Sequence, residues 1–244
     1  MHSVHLKMSE IKTLVYRDLE ATGLKSSGRP RISELSFVAV NIEDIQELHS
    51  QIKGHFPEYS NKIESLLPRV MNKLTVCVYP MATIRPEVSE ITGLDNYNLS
   101  GQSTFDKSTG ELINNFLAHL PGPLCLVAHN GDHYDFPLLK AELEKATQLT
   151  ATLCVDSYVG IEEIFKRVGF GAQHQNAATM RSKKRLNLNN IGSPRSYSLI
   201  NLHKHHGAEA DCLTLLRTTA VLGREWLDWL QDNAQLFSNC QCMW

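Results

Sequence analysis

A mixed, five-stranded α/β sheet with helices on both faces is the architecture this sequence predicts, and three observations carry it. Apolar, β-prone runs within residues 11–24 and at 31–41 and 73–80 come first, with a short loop between the first two. Beyond residue 120 the pattern changes to strands alternating with helices. The 244 residues are 42% hydrophobic and 20% charged, enough apolar material for one complete core, so a single domain is expected.

The first strand runs from Ile11 into Arg17-Asp-Leu-Glu20, and the glycine at Gly23 turns the chain. Strand alternation sets Tyr16, Asp18 and Glu20 on one face and Val15, Arg17 and Leu19 on the other. Turn formers from Leu24 to Pro30 make a loop. The strand at 31–41 follows, then a polar stretch at 42–72 that reads as a long irregular connection, then the strand at 73–80. Short links predict an antiparallel start to the sheet.

Residues 85–94 read as a short helix, with Pro86 near its start and Gly93 at its end. Leu112, Ile113, Phe116, Leu117 and Leu120 fall at helical spacing over 109–120, and Pro121-Gly-Pro123 stops them. Leu124-Cys-Leu-Val-Ala128 is a continuous apolar run and hence a buried strand. A helix over 133–147, a strand over 151–156 and a helix to Val168 come next. A polar segment leads to a helix near 195–205 and a last helical stretch from Ala208 to Gln235.

Charge and targeting signals exclude some classes. The formal net charge is −2, and the first eight residues hold no sustained apolar stretch, so no signal peptide is expected. No window approaches the roughly 18 apolar residues that span a bilayer. A soluble intracellular protein without a membrane partner, nuclear and/or cytoplasmic, is expected. Cys77, Cys125, Cys154 and Cys212 sit in apolar runs as small core residues. Cys240 and Cys242 lie in a polar tail, where Cys-x-Cys reads as a frayed, reduced terminus rather than as a metal-ligand pair.

Asp18 and Glu20 project side by side at the end of an apolar strand, and like charges so placed repel unless a cation neutralises them. Hard divalent ions such as Mg²⁺ take oxygen ligands and retain waters that exchange for phosphate oxygens. Further acids stand where helices begin. After the buried strand at 124–128 comes His129-Asn-Gly-Asp-His-Tyr-Asp135, in which Asp132 and Asp135 are each candidates for helix cap or metal ligand. Late in the chain His206-Gly-Ala-Glu-Ala-Asp211 opens an apolar helix, with Ala208 and Asp211 on one face and small residues that permit close approach to the sheet. His206 precedes that helix, where an imidazole reads either as a surface group or as a base.

Asp-x-Glu after the first strand, an Asp opening a mid-chain helix and a late His-x-Ala-x-x-Asp together resemble the three motifs of the DEDDh 3′→5′ exonucleases. Asp18-Leu-Glu-Ala-Thr-Gly-Leu24, Ser89-Glu-Ile-Thr-Gly-Leu94, Leu126 to Leu139, Cys154-Val-Asp-Ser157 and Ser196-Tyr-Ser-Leu199 further resemble the three-prime repair exonuclease family. These blocks run in order from the first strand almost to the last helix.

The resemblance implies a ribonuclease H-like fold spanning 11–235, with an N-terminal extension at 1–10 and a tail at 236–244. It implies Asp18, Glu20, Asp135 and Asp211 as ligands of two Mg²⁺ ions, for which Mn²⁺ can substitute, and His206 as general base. Ala21, Leu24, Ile91, His129 and Tyr134 match positions that line the substrate, and Arg181, Lys183, Lys184 and Arg185 match a DNA-binding loop. No acidic residue occurs between Glu163 and Glu209, so positive charge is concentrated there. The implied substrate is single-stranded DNA or a frayed DNA 3′ end, the implied product a 5′-mononucleotide and the implied assembly a homodimer of the short, soluble branch. An RNA exonuclease of the same chemistry and a non-catalytic nucleic-acid-binding module are the rival readings. Two departures bear on the second: the family has an apolar residue where this chain has Arg17, and its interval before the motif histidine is longer. A cation buried at position 17 needs a partner or must snorkel to water.

Overall fold

A computed structural model describes residues 11–54, 66–147, 149, 152–167 and 207–244. Among these residues six strands form one sheet in the order β3-β2-β1-β4-β5-β6. They are β1 (Thr13–Ala21), β2 (Ile32–Asn41), β3 (Asn72–Cys77), β4 (Leu124–Ala128), β5 (Leu153–Asp156) and β6 (Gln235–Leu236). β1 pairs antiparallel with β2, and β2 with β3, as the short links predict. β4 lies parallel to β1, and β5 parallel to β4. The two-residue β6 closes the far edge antiparallel to β5, an addition to the five strands read from the sequence.

The described helices are α1 (Ile42–Gly54), α2 (Pro86–Thr92), α3 (Lys107–His119), α4 (Asp135–Ala146), α5 (Ser157–Arg167), α6 (Ala208–Leu222) and α7 (Arg224–Asn233). Alternation along each strand divides the core into two layers. Leu14, Tyr16, Val38, Val40, Cys125 and Val127 face a layer built with α1, α6 and α7. Val15, Leu19, Phe37, Ala39, Leu126 and Cys154 face the other, built with α3, α4 and the C-terminal residues. Tyr16 shares a 2.6 Å hydrogen bond with Thr219 of α6, which ties that helix to the middle of the sheet.

Several sequence readings need correction. Residues 42–54 are a helix, not irregular chain: Ile42, Ile45, Leu48 and Ile52 line one face and are buried against the first layer. β3 stops at Cys77, and Tyr79 makes only an isolated bridge to Thr104. The last helical stretch is two helices, broken at Gly223 with φ +57°, where an added Cβ would lie 2.3 Å from the His49 ring. The C-terminal segment is not frayed. Phe237, Cys240 and Met243 are buried in the second layer, and Lys140 of α4 donates to the carbonyls of Ser238 and Cys240 at 2.8 and 2.6 Å. The helix expected near 195–205 lies outside the described residues. No described helix is long and apolar enough to cross a membrane.

Candidate metal centre

β1 delivers Asp18 and Glu20 to the face shared with Tyr16, and α6 brings Asp211 to them from its first turn. Carboxylate oxygens of Asp18, Glu20 and Asp211 lie within 4.8 Å of one another. Three hard oxygen donors at that spacing fit a divalent cation of the Mg²⁺ type, and without one their charges oppose each other. Asp211 responds accordingly: burial first, and the Glu34 carboxylate second, push its pKa up to about 6.

The close approach of α6 is built from small and polar contacts. Ala208 and Cys212 are fully buried beneath it, and the Cys212 thiol donates to the Ser36 carbonyl of β2 at 3.6 Å. Its N-cap is Gly207, which has no side chain to cap with, and Glu34 of β2 does that work from outside the helix. Glu34 Oε2 accepts the Ala208 N–H at 2.9 Å. Lys73 and Thr75 of β3 hold Glu209 in the same turn at 2.8 and 3.2 Å. Glu34 also stands directly across the sheet from Glu20. One carboxylate thus anchors the helix that carries Asp211 and borders the strand position that carries Glu20, a role the sequence reading did not find.

Asp135 is the first residue of α4 and is buried, and it is not among the three clustered carboxylates. It shares the field of Glu20 at Tyr134, whose phenol is pushed up by burial first and then by Asp135 and Glu20. Tyr134 donates its hydroxyl to the Gly23 carbonyl, fastening the turn after β1 to the start of α4. Asp132 is not the cap of α4, whose N-cap residue is Tyr134. Its backbone N–H instead donates to Asp156 Oδ2 at 3.2 Å, and Asp156 Oδ1 accepts the Tyr158 N–H at 2.9 Å.

His129 is oriented by Ser157, with Nδ1 3.2 Å from Oγ, and packs edge-on to Tyr158. Burial pushes its pKa down to about 4, so the imidazole is neutral at physiological pH. The Val155-Asp-Ser157 stretch therefore supports the loop from His129 to Tyr134, which gives a physical purpose to a motif that the sequence showed only as a resemblance. Leu24 and Ile91 are 51% and 53% exposed, two of several large hydrophobic side chains at the surface. Leu24 lines a cleft with Gly23, Arg29, Thr83 and Arg85, while Ala21 is buried at the end of β1.

Arg17 is 1% exposed and sits over the Phe136 ring at 5.5 Å, on the opposite face from Asp18. The strand absorbs it: pairing with β2 is continuous through Arg17, and the register shifts only after Glu20. His206, Arg181, Lys183, Lys184 and Arg185 lie outside the described residues. At the beginning of the basic segment Lys166 pairs with Glu162 at 3.0 Å and Arg167 with Glu225 at 2.5 Å, so those two charges are already engaged.

No family model matches the chain. It is 35% identical over 258 residues to Three-prime repair exonuclease 1 of Bos taurus, covering all of this chain and 74% of that protein. It is 33% identical over 237 residues to Three prime repair exonuclease 2 of Homo sapiens, covering 96% of this chain and 93% of that protein. Among solved structures, the zinc-bound E. coli exonuclease I complex with single-stranded DNA superposes with a TM-score of 0.56 at 10% identity. The match covers 90% of this chain but 42% of that one. Exonuclease I of Methylocaldum szegediense gives 0.55 at 14% identity, covering 88% of this chain and 42% of that one. At such identities the likeness establishes the fold, a ribonuclease H-like sheet.

Proposed function

The chain belongs to the three-prime repair exonuclease family, and from that premise we propose that it is a divalent-metal-dependent 3′→5′ DNA exonuclease releasing 5′-mononucleotides. The observation that carries the reading is the convergence of Asp18, Glu20 and Asp211 from one strand and one helix onto a common point. We assign these three, together with Asp135 at the start of α4, as ligands of two Mg²⁺ ions, for which Mn²⁺ can substitute. Held there, such ions would supply Lewis-acid chemistry to a phosphodiester and to a water.

The chain's own groups do the rest. His206 accepts the proton of the attacking water as general base. Leu24 and Ile91 offer exposed apolar surface to the terminal bases of a single-stranded or frayed end, a contact that tolerates any sequence. Ala21, the neutral His129 and Tyr134 bound the seat of the 3′ nucleotide, and Tyr134 holds the Leu24 turn in place through Gly23. Arg181, Lys183, Lys184 and Arg185 bind phosphates further along the strand.

Family membership supports a homodimer. The edge strand β3, which no described strand covers on its outer side, is the surface we assign to it. All six cysteines are free thiols, which fits residence in a reducing nuclear or cytoplasmic compartment.

Incubating a 3′-tailed DNA oligonucleotide with Mg²⁺, with and without chelator, tests the reading, and a matched RNA oligonucleotide tests the sugar preference. Asp18→Asn and Asp211→Asn are each expected to lower turnover by more than about 100-fold while leaving DNA binding within a few-fold of wild type. Near-normal turnover in either variant removes that residue from the mechanism.

A further inference from the structure

The second core layer holds two chemically active groups that DNA hydrolysis does not use. Cys154 of β5 and Cys240 of the C-terminal segment place their sulfurs 3.3 Å apart, a hydrogen-bonded thiol pair. Arg17 faces the same layer. Among the described residues none hydrogen bonds to its Nε, Nη1 or Nη2, all of which are buried. A cation so placed is costly unless an anion stands near. The pair is linked to Arg17 through packing: the guanidinium covers Phe136, and Phe136 meets Phe237 edge-on at 6.0 Å, three residues before Cys240.

We propose that Cys154 and Cys240 form a dithiol site that hydrogen peroxide oxidises to a disulfide, joining the C-terminal segment covalently to β5. Cys240 is the attacking sulfur, because it retains 7% exposure while Cys154 has none. The surrounding charges agree. A hydrogen bond from Cys154 favours the Cys240 thiolate most, and Lys140 and Arg17 favour it further, against burial and the Asp132 carboxylate. The Cys154 thiol is held up by its bond to Cys240 and by burial, as suits the group that keeps its proton until the second step. Cys242 is directed elsewhere, with its sulfur 3.4 Å from Glu144 Oε2.

The reaction balances with peroxide as the oxidant. The Cys240 thiolate attacks one peroxide oxygen and the O–O bond breaks, leaving a sulfenic acid and a hydroxide that takes up a proton as water. Cys154 then attacks the sulfenic sulfur, losing its proton as the hydroxyl departs as a second water, and the S–S bond forms. Two thiols are oxidised and one peroxide is reduced. Closing the sulfurs to the bonded separation of ~2.05 Å is a movement of little more than an ångström.

The site stands apart from the nuclease reading, and its test does not use nuclease activity. The full chain, freed of reductant, is treated with hydrogen peroxide, alkylated and mapped by peptide mass spectrometry. The expected result is a Cys154–Cys240 cross-linked peptide as the first product, reversed by dithiothreitol and absent from Cys154→Ser and from Cys240→Ser. Arg17→Met is expected to slow the cross-link about twofold at neutral pH by removing one of the two cations that favour the Cys240 thiolate. Both cysteines remaining alkylatable, a first disulfide through Cys242 or between molecules, or over-oxidation of Cys240 without the cross-link would each overturn the proposal. An unchanged rate in Arg17→Met would overturn the part assigned to the cation.

Discussion

Replacing Glu34 separates two effects that one carboxylate exerts on the candidate centre. Glu34→Ala removes the acceptor of the Ala208 N–H, the external cap of α6. A lost helix cap costs about 0.5–2 kcal/mol, and removing a negative charge from the positive end of the helix adds about 0.3–1 kcal/mol. A total of about 1–3 kcal/mol lowers Tm by roughly 2–10 °C in a protein of this size. Glu34→Gln keeps an oxygen for the N–H but removes the charge, so its Tm should stay much closer to wild type.

The charge has its own readout. It is the second cause, after burial, of the raised pKa of Asp211 at about 6. Both variants should therefore move Asp211 down toward its ordinary range and extend divalent-metal binding to lower pH. Differential scanning fluorimetry with and without Mg²⁺, from pH 5 to pH 8, reads both quantities. An unaltered Tm in Glu34→Ala would refute the capping argument, and an unaltered pH dependence in Glu34→Gln would refute the electrostatic one.

Other outcomes follow from the same geometry. In the metal-free wild type the raised Asp211 pKa favours the folded state only while the carboxyl is protonated, so this contribution is complete below about pH 3.8 and is lost as pH rises through about 6. Mg²⁺ needs the deprotonated form, so the thermal stabilisation it confers should fade as pH falls through 6, as a calorimetric titration would show. Tyr134→Phe breaks the tie to Gly23 and should raise KM for short oligonucleotides about fivefold, corresponding to about 1 kcal/mol, with kcat little changed; a change in kcat alone would refute this. Gly223→Ala forces a side chain into a left-handed backbone and onto His49, and should cost about 2–4 kcal/mol in denaturant unfolding.

What the sequence made legible is what strand and helix periods encode locally. Spacing set Asp18 and Glu20 on one face of β1 and Asp211 on one face of α6, the resemblance alone joined them as ligands, and the structure brings all three together. The stripe of Ile42, Ile45, Leu48 and Ile52 was also present, but the polar residues between them concealed a helix that follows β2 without a turn. Glu34 was beyond reach for another reason. Its partner Ala208 is 174 positions away, and its neighbour Glu20 is known only once the β1–β2 register is set. Cys154 and Cys240, 86 positions apart, look like a core residue and a tail residue until the C-terminal segment is seen packed beneath the sheet.

Arg17 and Asp18 are chain neighbours facing opposite sides of β1, and this makes the strand intolerant of misalignment. A slip by a single residue would drive the carboxylate into hydrocarbon and swing the guanidinium among the acids. Both exchanges are penalised at once, so the pair serves as a checksum on strand alignment. A folding chain that misthreads here forfeits much of its core contact as well as the centre, leaving few compact but inactive molecules to compete with the native one.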